Sequence, residues 1–186
     1  GNGGLVPKGI TCVETLEFDV VEKIYKPYDN LVLAVTLKAD GSTDKKVVGS
    51  LTEAIKAQSC DETAWNRLKE IFRNPGLQMI SFTITEKGYA LKGADGNYFP
   101  FIQADIENGP EKAGSAMAVV FSLLNERFKA GKYPLAVVSM DNCSHNGEKL
   151  KNSVVTMAKE WQAKCLVDDE YVSYFADSLP AHFPRT

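Results

Sequence analysis

LQMISFTIT, Leu77–Thr85, is the most strand-like stretch of the 186-residue chain, and the fold is read outward from it. β-branched and aromatic residues fill it, and its largely apolar character predicts a central strand covered on both faces. Upstream, Asp61 to about Arg73 has helical character, with Asp61 as a candidate N-cap and a stop before Pro75. Downstream, Asp95-Gly96 marks a surface turn within Gly93–Pro100. A long helix, roughly Glu111–Lys129, follows. Its apolar stripe runs through Met117, Val120, Phe121, Leu124 and Phe128. Tyr133–Met140 (YPLAVVSM) reads as the next buried strand. Asn146 then caps a helix lined by Leu150, Val154, Met157 and Trp161, and a short helix over Asp168–Ala176 comes last.

The N-terminal third has a different pattern. Gly9–Glu14 is a short β-prone run, and Leu16–Tyr25 suits a helix with Val20, Val21 and Ile24 inward. Leu31–Leu37 and Lys45–Leu51 read as strands joined around Asp40-Gly41, an antiparallel hairpin. Strand and helix otherwise alternate. The expected class is therefore α/β, a mainly parallel sheet with a hairpin insertion.

Composition excludes several functions. A formal net charge of -3 and the lack of any Lys/Arg run give no general attraction to nucleic acid or to an anionic membrane. Apolar runs such as Leu31–Leu37 are far too short to span a bilayer, and no secretory signal pattern opens the sequence. Cys12, Cys60, Cys143 and Cys165 have no paired spacing, so reduced, cytoplasmic thiols and no metal site are expected.

In an open α/β sheet, ligands bind beyond the carboxyl ends of the strands, and three segments lie at such ends. Glu14 closes the first strand, where a carboxylate can accept hydrogen bonds from ribose hydroxyls and repel a 2′-phosphate. A solvated strand-end carboxylate is the plain alternative. Thr85 and Glu86 follow the strongest strand and could reach ribose or substrate, while Gly88 would let backbone approach a ligand. Glu86 as the cap of a turn is the rival there. Asp141 and Asn142 end the next strand. The Asn142 amide offers donor and acceptor to a carbonyl or hydroxyl, or it closes an Asx turn. His145 nearby is a candidate acid or base, or an exposed loop histidine.

The phrases SFTITEKGYAL, QADIENGP and VSMDNCSHNGEKLKNSV, with RLKEIFRNPGLQM before them, resemble the mannitol dehydrogenase family of long-chain polyol and sugar-acid dehydrogenases, and within it the fructuronate reductases. The resemblance runs from about Gly9 to the end. It implies a Rossmann-type, doubly wound NAD-binding domain over residues 1–186, incomplete at both ends. The family's opening strand and glycine-rich phosphate turn are expected to lie outside the chain. So is a helical substrate domain that carries the general-base lysine. It implies NAD as cofactor, a small sugar acid or polyol as substrate, and reversible hydride transfer between the nicotinamide and the sugar acid that interconverts D-fructuronate and D-mannonate. The chain alone is expected not to turn over. It also implies that Asn142 helps hold the reacting oxygen, that Glu14 meets the adenosine ribose, and that Thr85, Glu86 and Asp141 line the cofactor cleft. Tagaturonate reductase, mannitol 2-dehydrogenase and a non-catalytic nucleotide-binding module are the competing readings. Oligomeric state is not legible.

Overall fold

A computed structural model describes residues 9–84, 88–142 and 144–178, the last four as backbone only. The chain divides between Ala57 and Gln58 into two compact units.

In the first unit, β1 (Ile10–Glu14) pairs in parallel with β4 (Leu51–Lys56), with Cys12 opposite Ala54 and Glu14 opposite Lys56. Sequence reading placed no element at β4. LTEAIK is rich in helix formers, and its pairing with a strand some forty residues earlier overrides that local preference. Between them, β2 (Val32–Leu37) and β3 (Thr43–Val48) form the expected antiparallel hairpin. At its turn Gly41 has φ 84°, and the Asp40 carboxylate accepts the Ser42 amide at 2.9 Å and hydroxyl at 2.7 Å. The hairpin leaves Leu33, Val35, Leu37 and Val47 exposed. The helix expected over Leu16–Tyr25 is instead a six-residue π-helical turn, Val20–Tyr25. Its wider winding breaks the 3.6-residue spacing. Val21 is therefore fully buried, whereas Ile24 is exposed.

The second unit opens on α1 (Glu62–Arg73), capped as expected by Asp61, whose carboxylate accepts the Ala64 amide at 3.0 Å. Asp61→Ala should lower stability by about 1 kcal/mol, read as a lower urea midpoint at unchanged slope. Asn74, held extended before Pro75, ends the helix. β5 (Met79–Phe82) pairs in parallel with β6 (Ala136–Ser139). β5 is shorter than the sequence implied and is not covered on both faces, since Met79 is 56% exposed. Among the described residues the strands thus form three pairs, two parallel and one antiparallel.

The crossover from β5 to β6 contains α2 (Pro100–Asn108), which sequence reading missed, and α3 (Ala116–Gly131). The expected start of α3 at Glu111 is wrong for a long-range reason. The buried Asp105 carboxylate captures the amides of Gly114 at 2.8 Å and Ser115 at 2.9 Å, and Ser115 caps the helix proper. Helix α3 is buried along its whole course from Ala116 to Phe128, not on one stripe. It packs against α1 and against α4 (Asn146–Ala163). Leu150, Val154, Met157 and Trp161 of α4 are essentially fully buried, as their spacing predicted. Each such side chain contributes roughly 1.5–3 kcal/mol through burial. The Trp161 ring meets Phe121 edge-on, and its indole N–H donates to the Asp105 carbonyl at 3.0 Å. From α5 (Asp169–Ser178), the buried Tyr171 hydroxyl donates to the Phe121 carbonyl at 2.7 Å, and burial pushes that phenol well above its usual range.

Among the described residues, five backbone carbonyls and no carboxylate bond the Arg127 guanidinium. Its N–H groups donate to Tyr133, Phe72, Asn74, Leu77 and Pro134 at 2.8–2.9 Å. The residue is 2% exposed and ties the end of α1 to the approaches of both strands, and burial holds its guanidinium below its ordinary value.

Candidate functional site

Two strand ends carry the candidate groups, one in each unit. In the first, Glu14 sits at the carboxyl end of parallel β1, its carbonyl accepting the Ala57 amide at 2.8 Å. Its side chain is half-buried. Partial burial, and then repulsion from Glu17, raises its carboxyl above the ordinary value. Cys12 and Tyr25 lie in the same electrostatic neighbourhood. Burial, then the Glu14 charge, pushes up the Cys12 thiol, so this cysteine is a poor nucleophile.

In the second unit the site grows from the end of β6. Ser139, the last strand residue, is buried, and the chain bends at Asp141 and Asn142. One Asp141 carboxylate oxygen accepts the Ile84 amide at 3.1 Å and also the Tyr89 hydroxyl in a short hydrogen bond. Since the phenol proton goes to the carboxylate, the 2.7 Å contact between Tyr89 and Ser139 has the serine hydroxyl as donor. Asn146 completes the bend. Its side-chain NH₂ donates to the carbonyls of Asp141 at 2.8 Å and Ser139 at 3.4 Å, while its side-chain oxygen accepts the Gly147 amide at 2.7 Å. Asn146 is therefore a brace to the strand end rather than the N-cap. The cap position falls to His145, in the left-handed region at φ 57°. His145 is exposed, its ring nitrogen 3.5 Å from Glu148.

The structure thus brings Asp141 and Asn142 to one strand end and gives them different work. The Asp141 carboxylate is engaged by its own protein, whereas the Asn142 side chain is exposed beyond the bend. Glu14 belongs to the other unit. Thr85 and Glu86 lie outside the described residues. Gly88 has a use unlike the one its sequence suggested. A Cβ there would lie 3.0 Å from the Ile84 side chain, so its smallness makes room for Ile84. Sequence reasoning missed Tyr89, Ser139 and Ser153, whose hydroxyl donates to the Tyr89 carbonyl at 2.6 Å. None lies in a spacing pattern that would mark it. Asn146 was noticed, but for capping.

Among the described residues no cluster of three or more His, Cys, Asp or Glu could hold a metal ion, and no helix is long and apolar enough to cross a membrane.

Comparison with known proteins gives the family and the fold. D-mannonate oxidoreductase of Thermotoga maritima is 47% identical over 166 residues, covering 89% of this chain and 31% of that protein. The chain thus spans about a third of the length of that curated relative. A crystal structure of D-sorbitol dehydrogenase in substrate-free form superposes with a TM-score of 0.73 at 25% identity, covering 91% of this chain and 34% of that one. The ternary complex of Pseudomonas fluorescens mannitol 2-dehydrogenase with NAD and D-mannitol gives 0.69 at 21% identity, covering 95% and 40%, and speaks to the fold alone. The mannitol dehydrogenase Rossmann domain model matches residues 9–178. By that match the chain belongs to the mannitol dehydrogenase family and carries its Rossmann domain.

Proposed function

We propose that this chain is the NAD-binding domain of an oxidoreductase that interconverts D-fructuronate and D-mannonate. The observation that carries the cofactor assignment is Glu14, a half-buried carboxylate with a raised pKa at the carboxyl end of a parallel strand in a Rossmann domain. It would accept hydrogen bonds from the adenosine ribose hydroxyls and repel a 2′-phosphate, favouring NAD over NADP. The nicotinamide, when bound, supplies or takes up the hydride. Asn142, exposed at the end of β6, would donate its amide to the reacting oxygen and stabilise charge developing there. Asp141 would act from behind by fixing the bend that carries Asn142. Thr85 and Glu86 are further candidates for contact with the cofactor. The sugar-acid substrate is supported by the 47% identity to a D-mannonate oxidoreductase. A polyol such as mannitol is the second reading, supported by 30% identity over 138 residues to a mannitol 2-dehydrogenase of Cereibacter sphaeroides. Proton transfer from the substrate hydroxyl would fall to residues outside this chain, in a polypeptide of the relatives' length.

Calorimetry with NAD and NADP tests the cofactor assignment. The chain should prefer NAD, and Glu14→Ala should weaken NAD by about tenfold or more while improving NADP. Failure of a polypeptide of the relatives' length to bind either dinucleotide would sink the reading. The raised carboxyl adds a pH signature. Protonation removes the acceptor, so NAD affinity should fall on acidification at a higher pH than an ordinary glutamate would give, and Glu14→Gln should flatten that profile. Turnover of fructuronate, tagaturonate and mannitol by a polypeptide of the relatives' length would separate the substrates.

A further inference from the structure

Tyr89 is 3% exposed, and its hydroxyl is enclosed between the Ser139 hydroxyl and the Asp141 carboxylate, residues some fifty positions away in sequence. A phenol this deep requires a partner, and a carboxylate is a strong one. Its backbone is held as well: the Ser153 hydroxyl of α4 donates to the Tyr89 carbonyl at 2.6 Å, and Ser153 sits two turns along the helix from Asn146. Asn146 in turn grips the Asp141 carbonyl at 2.8 Å. The bend after β6 is therefore pinned through Asp141 on both its side chain and its backbone, and the next residue along is Asn142.

We propose that Tyr89 is a positioning residue, whose buried hydrogen bonds to Ser139 and Asp141 set the orientation of the bend that presents Asn142. The proposal rests on the reading of Asn142 as the amide that meets the reacting oxygen. Asn142 is exposed, so its aim depends on the rigidity of the turn behind it. A misplacement of about 1 Å at such a group can cost about a hundredfold in rate. Tyr89 touches no substrate in this scheme. Its task is to keep the donor where the oxygen will be.

The test compares the wild-type chain with Tyr89→Phe, using Tyr98→Phe as control, because Tyr98 makes a similar phenol–carboxylate bond to Glu160 at 2.7 Å elsewhere in the unit. The first readout needs no cofactor. The backbone order parameter of Asn142 by NMR should fall from about 0.85 to below about 0.6 in Tyr89→Phe and stay unchanged in Tyr98→Phe. The second separates kcat from KM in a polypeptide of the relatives' length. Tyr89→Phe should lower kcat about tenfold or more and change the KM for NADH less than about twofold, and Tyr98→Phe should change neither. A general structural defect would move both parameters. An unchanged order parameter, or a KM change with kcat intact, overturns the role of Tyr89. A fully active Asn142→Ala overturns the reading of Asn142 instead, and the NMR result still decides on Tyr89. Should Tyr89→Phe not fold, Ser139→Ala removes one of the same bonds with the ring in place, and the same outcomes apply.

Discussion

Arg127→Met should destabilise the second unit by about 5 kcal/mol, enough to leave it largely unfolded at 37 °C. Methionine keeps much of the aliphatic stem and removes all five donors, so the loss isolates the hydrogen bonds from the packing. Hydrogen bonds from a charged donor are worth about 1.5–3 kcal/mol each in net terms, and the contributions of five on one group do not add fully. Some acceptors keep a second partner: the Asn74 carbonyl also accepts the Leu77 amide at 3.1 Å. Those considerations bring the figure down to about 5 kcal/mol, set against a typical domain stability of about 5–15 kcal/mol. Arg127→Lys should recover little, because an ammonium has three donors and no planar fork. Urea unfolding followed by far-ultraviolet circular dichroism measures it. A change below about 1 kcal/mol would mean that water replaces the guanidinium at no cost and that the cradle is ornamental.

Asn142→Ala should have the largest effect on catalysis, a fall in kcat of about 10²–10³-fold in a polypeptide of the relatives' length. The Asn142 side chain is exposed and forms no part of the core, so the melting temperature should hardly move. KM should change little, since a donor aimed at a developing oxyanion acts on the transition state more than on the bound ketone. Asn142→Asp is the sharper variant. It keeps the shape and puts a negative charge where negative charge must develop, so its loss should equal or exceed that of alanine. A fall in KM-dependent binding with kcat intact would assign Asn142 to substrate recognition and remove it from the chemistry.

Where local chemistry decides the structure, the sequence was legible. Asp61 announced its cap, the Asp40-Gly41 turn its hairpin, and the stripe from Leu150 to Trp161 its buried face. Illegible elements depend on distant partners. The LTEAIK segment becomes a strand by pairing with β1, and α3 begins where Asp105 arrests the chain rather than where helix formers begin. The same division holds for the candidate site. Glu14, Asp141 and Asn142 were candidates because strand ends in α/β folds carry ligands, and β1 and β6 do run up to them. Tyr89 could not. Its meaning comes from Ser139 and Asp141, which only the fold brings to it.

The acceptors around Arg127 belong to the main chain, and that shapes what divergence this domain can absorb. Every residue type offers the same carbonyl. Changes of side chain at Phe72, Asn74, Leu77, Tyr133 or Pro134 therefore leave the acceptor in place as long as the backbone path is kept. A carboxylate partner would have tied two positions together, each free to change only with the other. Here the hydrogen bonds demand one side chain, Arg127, and set no requirement on the side chains of the five residues it joins.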